Sequence, residues 1–208
     1  MSLRLSIIAG VIALAAAIAG WVAYSSSQKA QQQAAIRQLV ADSTTLLREA
    51  LTKSPTAGAA AKLDANLQAI KAPSERAFAD AAEHYILGAR EIVRRRLDAD
   101  RMIAETAAGR QGLAAHMARP SVPRERWIHS AGEMKRRIES QHADLGRVLK
   151  ALEGLLFSMP EAAKNLAPFV SADLLIEEPA VNAARRRARA EAARAAEDLQ
   201  KARDLAPR

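Results

Sequence analysis

Trp127 to Met159 reads WIHSAGEMKRRIESQHADLGRVLKALEGLLFSM, and its apolar spacing decides the fold class. Trp127, Ala131, Met134, Ile138, Leu145, Val148, Leu152, Leu155 and Met159 follow one another at helical steps of three and four. That pattern makes one stripe along an α-helix, whereas a strand alternates its faces every two residues. Gln141 interrupts the stripe as the kind of polar group that fixes register or partner number. A stripe of this length needs other helices beside it to leave water.

Upstream, Phe78, Ala82, Tyr85, Ile86, Ala89, Val93, Leu97, Ile103, Ala107, Leu113 and Met117 recur at the same spacing behind Ser74, which reads as the N-cap. Pro120 and Pro123 close that segment, so residues 74–159 are expected to fold as a long antiparallel hairpin. Gly88, Gly109 and Gly112 each weaken its first arm by about 1 kcal/mol relative to Ala. A bend or a tight contact is expected near Gly109. Downstream, Ser158 and Glu161 read as a capping box around Pro160, opening a short helix with Leu166, Phe169 and Val170. Ser171 to Glu178 reads as a connection.

Pro179 then opens a last helix whose inner positions are Val181, Ala188, Ala195, Leu199 and Ala202. Small inner residues bury little area at about 25 cal/mol per Å², so this helix is expected to be the least stable and free to await a partner. Towards the amino end, Ile36, Leu39, Val40, Leu46, Leu47, Ala50 and Leu51 define another helical face, stopped at Ser54-Pro55. A shorter helix with Leu63, Leu67 and Ile70 follows. Half of the 208 residues are apolar and 3% aromatic, the composition of long helices with a thin, Ala- and Leu-rich core. The soluble part is therefore expected to be an all-α, elongated, coiled-coil-like antiparallel bundle.

Before the bundle, Leu5 to Tyr24 runs without a charge, long enough at ~1.5 Å per residue to cross a bilayer core of ~30 Å. Trp21 and Tyr24 end that run, where amphipathic rings favour the headgroup layer. Ala9, Ala13 and Ala17 lie four apart, as do Ala16 and Gly20, giving a small-residue face for packing within lipid. Ala17-Ile18-Ala19 also fits a signal-peptide cleavage pattern, but the length of the run and its aromatic end favour a retained signal anchor. The expected organisation is a short start at 1–4, a transmembrane anchor at 5–24, a bundle at 25–178 and an Arg/Ala-rich helix at 179–208. The expected location is a bacterial inner membrane, with the bundle in the periplasm.

Chemistry-bearing motifs are sparse. Cysteine is absent, which removes disulfides, thiolate metal sites and a thiol nucleophile. Serine supplies no nucleophile elbow and no Gly-rich loop precedes a helix, so the chain is not expected to be an enzyme or to hold a cofactor or metal. Glu139-Ser-Gln-His142 has the E-x-x-H form of carboxylate-bridged metal bundles. It stands alone, and the reading favours a solvated Glu139 beside a boundary His142. Glu125, His129 and Glu133, four apart, suit surface pairing better than a cation site. His84 and His116 receive no role.

Net charge is +8, with Arg94-Arg95-Arg96, Lys135-Arg136-Arg137 and Arg185-Arg186-Arg187 with Arg189 as clusters. Arg94, Arg95, Arg96, Arg185, Arg186, Arg187 and Arg189 are the candidates for an anion or partner surface. Glu91, Asp98, Asp100, Glu191, Glu197 and Asp198 are interleaved with them, which favours solvated helix faces with i,i+4 pairs. The function expected is that of a membrane-anchored helical scaffold or adaptor of the cell envelope. Its partners would be the lipid bilayer, helical or acidic envelope proteins, or a second copy of itself. The alternatives are a membrane-tethered nucleic-acid or anionic-surface binder acting through the Arg-rich helices, and an exported helical protein released near Ala19.

Overall fold

The computed structural model describes residues 2–70, 76–119 and 123–205, with 2–20, 23 and 205 in backbone path alone. The described residues form five helices packed against one another: α1 (Ser2–Thr52), α2 (Ala57–Ala69), α3 (Arg76–Ala118), α4 (Arg124–Leu166) and α5 (Glu178–Leu205), with a 3₁₀ turn at Ala172–Leu174. The all-α bundle expected from the spacing is present. The expected cap Ser74 lies outside the described residues.

α3 is the central rod. It is 43 residues long, about 65 Å at 1.5 Å per residue, and it touches every other helix. α4 runs back along it and α5 packs on α4, while α1 and α2 cover the first half of α3. Three cores follow from that arrangement. The largest joins Ile36 to Leu51, Phe78 to Val93, Leu152 to Leu166 and Val181 to Ala188. Two thin clusters continue it towards the hairpin tip, one of Ala99, Leu145 and Leu149 and one of Leu113, Ala131, Ile138 and Ala202.

The expected break at Pro160 is a correction. α4 passes through Pro160 to Leu166 as one helix, and Ser158 Oγ donates to the Leu155 carbonyl at 3.0 Å instead of capping an N–H. A proline inside a helix costs about 3 kcal/mol. Leu156, Met159 and Leu166 on either side are fully buried, and at about 1.5–3 kcal/mol for each such side chain their burial outweighs that cost.

The inner stripe of α4 is also shifted. His142, Leu149 and Leu156 are buried where Gln141, Val148 and Leu155 were expected, and those three are half-buried at its edge. α4 faces both α3 and α5, and a helix with two neighbours buries a wider face than a two-helix seam requires. The close contact expected at Gly109 is present: a Cβ there would meet Ile138 Cγ1 at 3.2 Å, and one at Gly112 would meet Met134 Cε at 3.3 Å.

The final helix is not free. Val181, Ala184, Ala188 and Ala202 are buried, and Arg187 donates to the Leu51 carbonyl of α1 at 2.8 Å. The strap before α5 is held as firmly. Phe169 stacks on Phe78 with centroids 5.2 Å apart, and Arg48 donates to the carbonyls of Asp173 and Leu175 at 3.0 and 2.8 Å.

At the other end, α1 is one helix from Ser2, and Ile36 is the first residue that the bundle buries among those whose side chains are described. Trp21 and Tyr24 are largely exposed. Among the described residues no helix is long and apolar enough to cross a membrane. Most of the expected span, including Ala9, Ala13, Ala16, Ala17 and Gly20, lies outside the residues described in side chain.

Candidate functional site

Most of the arginines marked in the sequence are tied down inside the fold. Arg94 pairs with Asp64 of α2 at 2.6 Å, Arg96 with Glu191 at 2.9 Å and Asp100 at 3.0 Å, and Arg189 with Glu153 at 2.6 Å. Arg185 lies over the exposed Phe157 ring at 4.9 Å and reaches Asn182 at 3.5 Å. Arg95 and Arg186 make no hydrogen bond or ion pair among the described residues. Hydrogen bonds from Arg94 and Arg90 hold the Asp64 carboxyl below its ordinary range, which locks α2 onto α3.

The histidines divide differently from their reading in the sequence. His129 meets Glu133 at 3.3 Å on an exposed face, a surface pair. His116, given no role, stacks on Trp127 with centroids 5.6 Å apart; its Nε2 bonds the Trp127 carbonyl and the indole N–H donates to the His116 carbonyl, both at 3.0 Å. This reciprocal clasp closes the α3–α4 hairpin. Glu139 pairs with Arg203 of α5 at 3.2 Å. No group of three or more His, Asp or Glu among the described residues is arranged to hold a metal ion.

His142 is the exception. It is 6% exposed, and neither ring nitrogen has a hydrogen-bond partner. It falls between the two thin cores and, with Thr106, lines a cavity of about 310 Å³ between α3, α4 and α5. Burial, with Arg110 nearby, lowers its pKa below the ordinary 6.5, against a smaller opposing pull from Asp198. The ring is therefore neutral at pH 7 and presents one donor and one acceptor.

The cavity is walled by ion pairs and small apolar residues. At one end Arg96 stands between Asp100 and Glu191, its side chain 16% exposed and that of Glu191 15%. At the other end Asp198 is shared by Arg110 at 2.8 Å and Lys201 at 3.6 Å. Ile103, Ala107, Leu145 and Ala195 line it between them. Arg96 Nε, Arg110 Nε and Asp100 Oδ2 are buried and unpaired here, alongside His142. Such atoms cost about 1–3 kcal/mol each when nothing satisfies them. The Thr106 hydroxyl is already satisfied by the Met102 and Ile103 carbonyls at 2.8 and 3.0 Å. What this seam offers chemically is recognition of charged and hydrogen-bonding groups in a partly desolvated slot.

A second hollow of about 520 Å³ is lined by α3 and α4 alone, with Gly109, Gly112, Met134 and Ile138 beneath Glu105 and Arg137. Gln141 Oε1 is buried and unpaired beside it. The sequence reading missed the seam. Its one available signal was that His142, four residues after Ile138 and three before Leu145, satisfies the inner spacing as well as Gln141 does. Set against known protein families, curated proteins and solved structures, the chain matches none.

Proposed function

We propose that this chain is a single-pass membrane protein of the bacterial inner membrane, anchored by Leu5–Tyr24, whose helical bundle acts as a scaffold or adaptor on the periplasmic side. The observation that carries the reading is the form of α1. One helix leads from the uncharged run into the bundle, and none of the described side chains from Trp21 to Ala35 is buried. Beyond the anchor, Ser25 to Ala35 is a stretch of polar and small residues about 16 Å long at 1.5 Å per residue. It would hold the bundle clear of lipid headgroups, where other helical proteins can reach it.

The hollow between α3 and α4 supports the same reading, because it is a concave face, bordered by Glu105 and Arg137, into which another helix can lay side chains. A reporter fused after Arg208 and carbonate extraction of membranes test the anchor and its orientation. Photo-crosslinking from position 105 or 137 tests the adaptor role, with exposed Lys150 as the control position. A discrete adduct from the hollow alone is expected; extraction of the full-length chain by carbonate, or identical adducts from all three positions, would sink the proposal. Of the arginines on which the competing nucleic-acid reading relies, Arg94, Arg96, Arg189 and Arg187 are engaged with Asp64, Glu191, Glu153 and Leu51, which leaves it Arg95 and Arg186. It calls for steeply salt-dependent binding. The released-protein reading calls for a mature amino terminus near Ala19.

A further inference from the structure

We propose that the hollow between α3 and α4 takes an acidic amphipathic helix, with the partner's apolar side chains over Met134 and Ile138 and its carboxylates at Arg126 and Arg137. This rests on the adaptor reading and names the class of partner. The distribution of charge carries the assignment. Residues 106–138, the hairpin end of α3 and α4, hold seven Arg and Lys against two acids, Glu125 and Glu133. The last turns of α5 packed there, 197–204, add Lys201 and Arg203 against Glu197, Asp198 and Asp204. This end of the rod therefore carries a surplus of four positive charges, half of the formal +8 of the chain.

The surplus resides in free side chains. Arg119, Arg124, Arg126, Arg136 and Arg137 are exposed, and none makes a side-chain hydrogen bond or ion pair among the described residues. Arg137 lines the hollow, and Arg126 precedes it by eleven residues, three helical turns, so both stand on the α4 rim about 16 Å apart. The acids along this side are already engaged: Glu133 with His129 at 3.3 Å, Glu105 with Arg101 at 3.8 Å, Asp98 with Arg101 at 3.1 Å and Asp144 with Arg147. An arriving carboxylate therefore finds unpaired guanidiniums, whose fork matches its geometry. A concave floor of Met134 and Ile138 suits the apolar stripe of a helix, whereas a flat bilayer cannot enter it. Base stacking would need a free aromatic ring, and Trp127 is closed against His116. Exposed pairs each add little affinity, so the arginines select among helices that the hollow would otherwise accept equally.

The test uses the full chain in nanodiscs of phosphatidylcholine, with empty nanodiscs as the blank. Three labelled helical peptides of about 20 residues share one Leu/Ala stripe and carry Glu, Gln or Lys on both flanks. Fluorescence anisotropy should show the Glu peptide binding tighter than the Lys peptide by on the order of tenfold, a preference that shrinks with added salt. Arg126→Glu combined with Arg137→Glu should invert the preference. Arg186→Glu, at an equally free arginine of α5, should leave it unchanged. Ala108→Trp fills the hollow from its exposed edge without touching a charge and should weaken all three peptides. Circular dichroism confirms that each variant is folded. Equal binding of the Glu and Lys peptides, binding of neither, or tighter binding of a DNA duplex that the double variant loses would each overturn the acidic assignment. The adaptor reading fails separately, by loss of the discrete adduct from positions 105 and 137.

Discussion

Tyr85 shows how a buried polar side chain can organise the core of this bundle. Its hydroxyl lies 2.8 Å from Thr44 Oγ1 and accepts the Ile176 N–H at 3.0 Å, while Thr44 donates to the Leu174 carbonyl at 2.7 Å. α1, α3 and the strap are joined through one phenol, which burial keeps protonated by raising its pKa above 10.0. Tyr85→Phe should cost about 1–3 kcal/mol, because it leaves the Ile176 N–H without a partner. Chemical denaturation checks this. A double-mutant cycle with Thr44→Val should be strongly non-additive, since both variants cut one network.

His142 gives the second residue-scale expectation. Its folded pKa lies below 6.5, so the folded state binds fewer protons than the unfolded chain. Its contribution is complete above the unfolded pKa, and stability is lost as pH falls through 6.5 towards the folded value. Arg96 and Arg110 of α3 and Arg194 of α5 also line the cavity and oppose protonation, while Asp100, Glu191 and Asp198 favour it. Thermal unfolding between pH 7.5 and pH 5 should show the midpoint falling with pH, and His142→Phe should flatten that slope. A slope unchanged in the variant would show that other groups titrate in this window. Asp64, whose pKa is also lowered, acts in a separate range beginning near 3.8.

Among the elements, helix identity was legible because one-sided apolar spacing is a local property of the chain. The hairpin was legible too, since Pro120 and Pro123 separate two long segments of the same period. Register was not. The seven-residue interval from Ile138 to Leu145 admits either Gln141 or His142, and the choice falls to α5, which packs on α4 and also reaches α3. Pro160 misled for a related reason: local rules count the lost hydrogen bond, while the opposing term is burial against helices distant in sequence. The glycines of α3 and α4 turn this difference into a measurement. Gly146 meets nothing within 4 Å, so Gly146→Ala should gain close to the full helix-propensity difference of about 1 kcal/mol. At Gly109 the new methyl would press on Ile138, and Gly109→Ala should gain clearly less or lose stability. Equal gains in denaturant midpoints would show that the two helices can separate there without cost.

On the scale of the molecule, the division of the core should govern which parts open first. Near the strap, Tyr85, Phe78, Leu47, Leu63 and Ile86 are fully buried in one cluster fed by all five helices. Towards the hairpin tip, two thin clusters flank a cavity whose polar atoms are unsatisfied. With fewer large side chains removed from water there, each contributing about 1.5–3 kcal/mol, the distal half has less to hold it closed. Native-state hydrogen exchange should therefore find amides in 100–116, 130–148 and 192–202 opening at free energies lower by about 2 kcal/mol or more than those in 40–50, 82–93 and 152–166. Truncation after Glu178 should widen the gap, because α5 supplies Ala202 to one thin cluster and Ala192 and Ala195 to the other. Uniform exchange along α3 would refute the division, since it would mean that the whole rod opens as one unit.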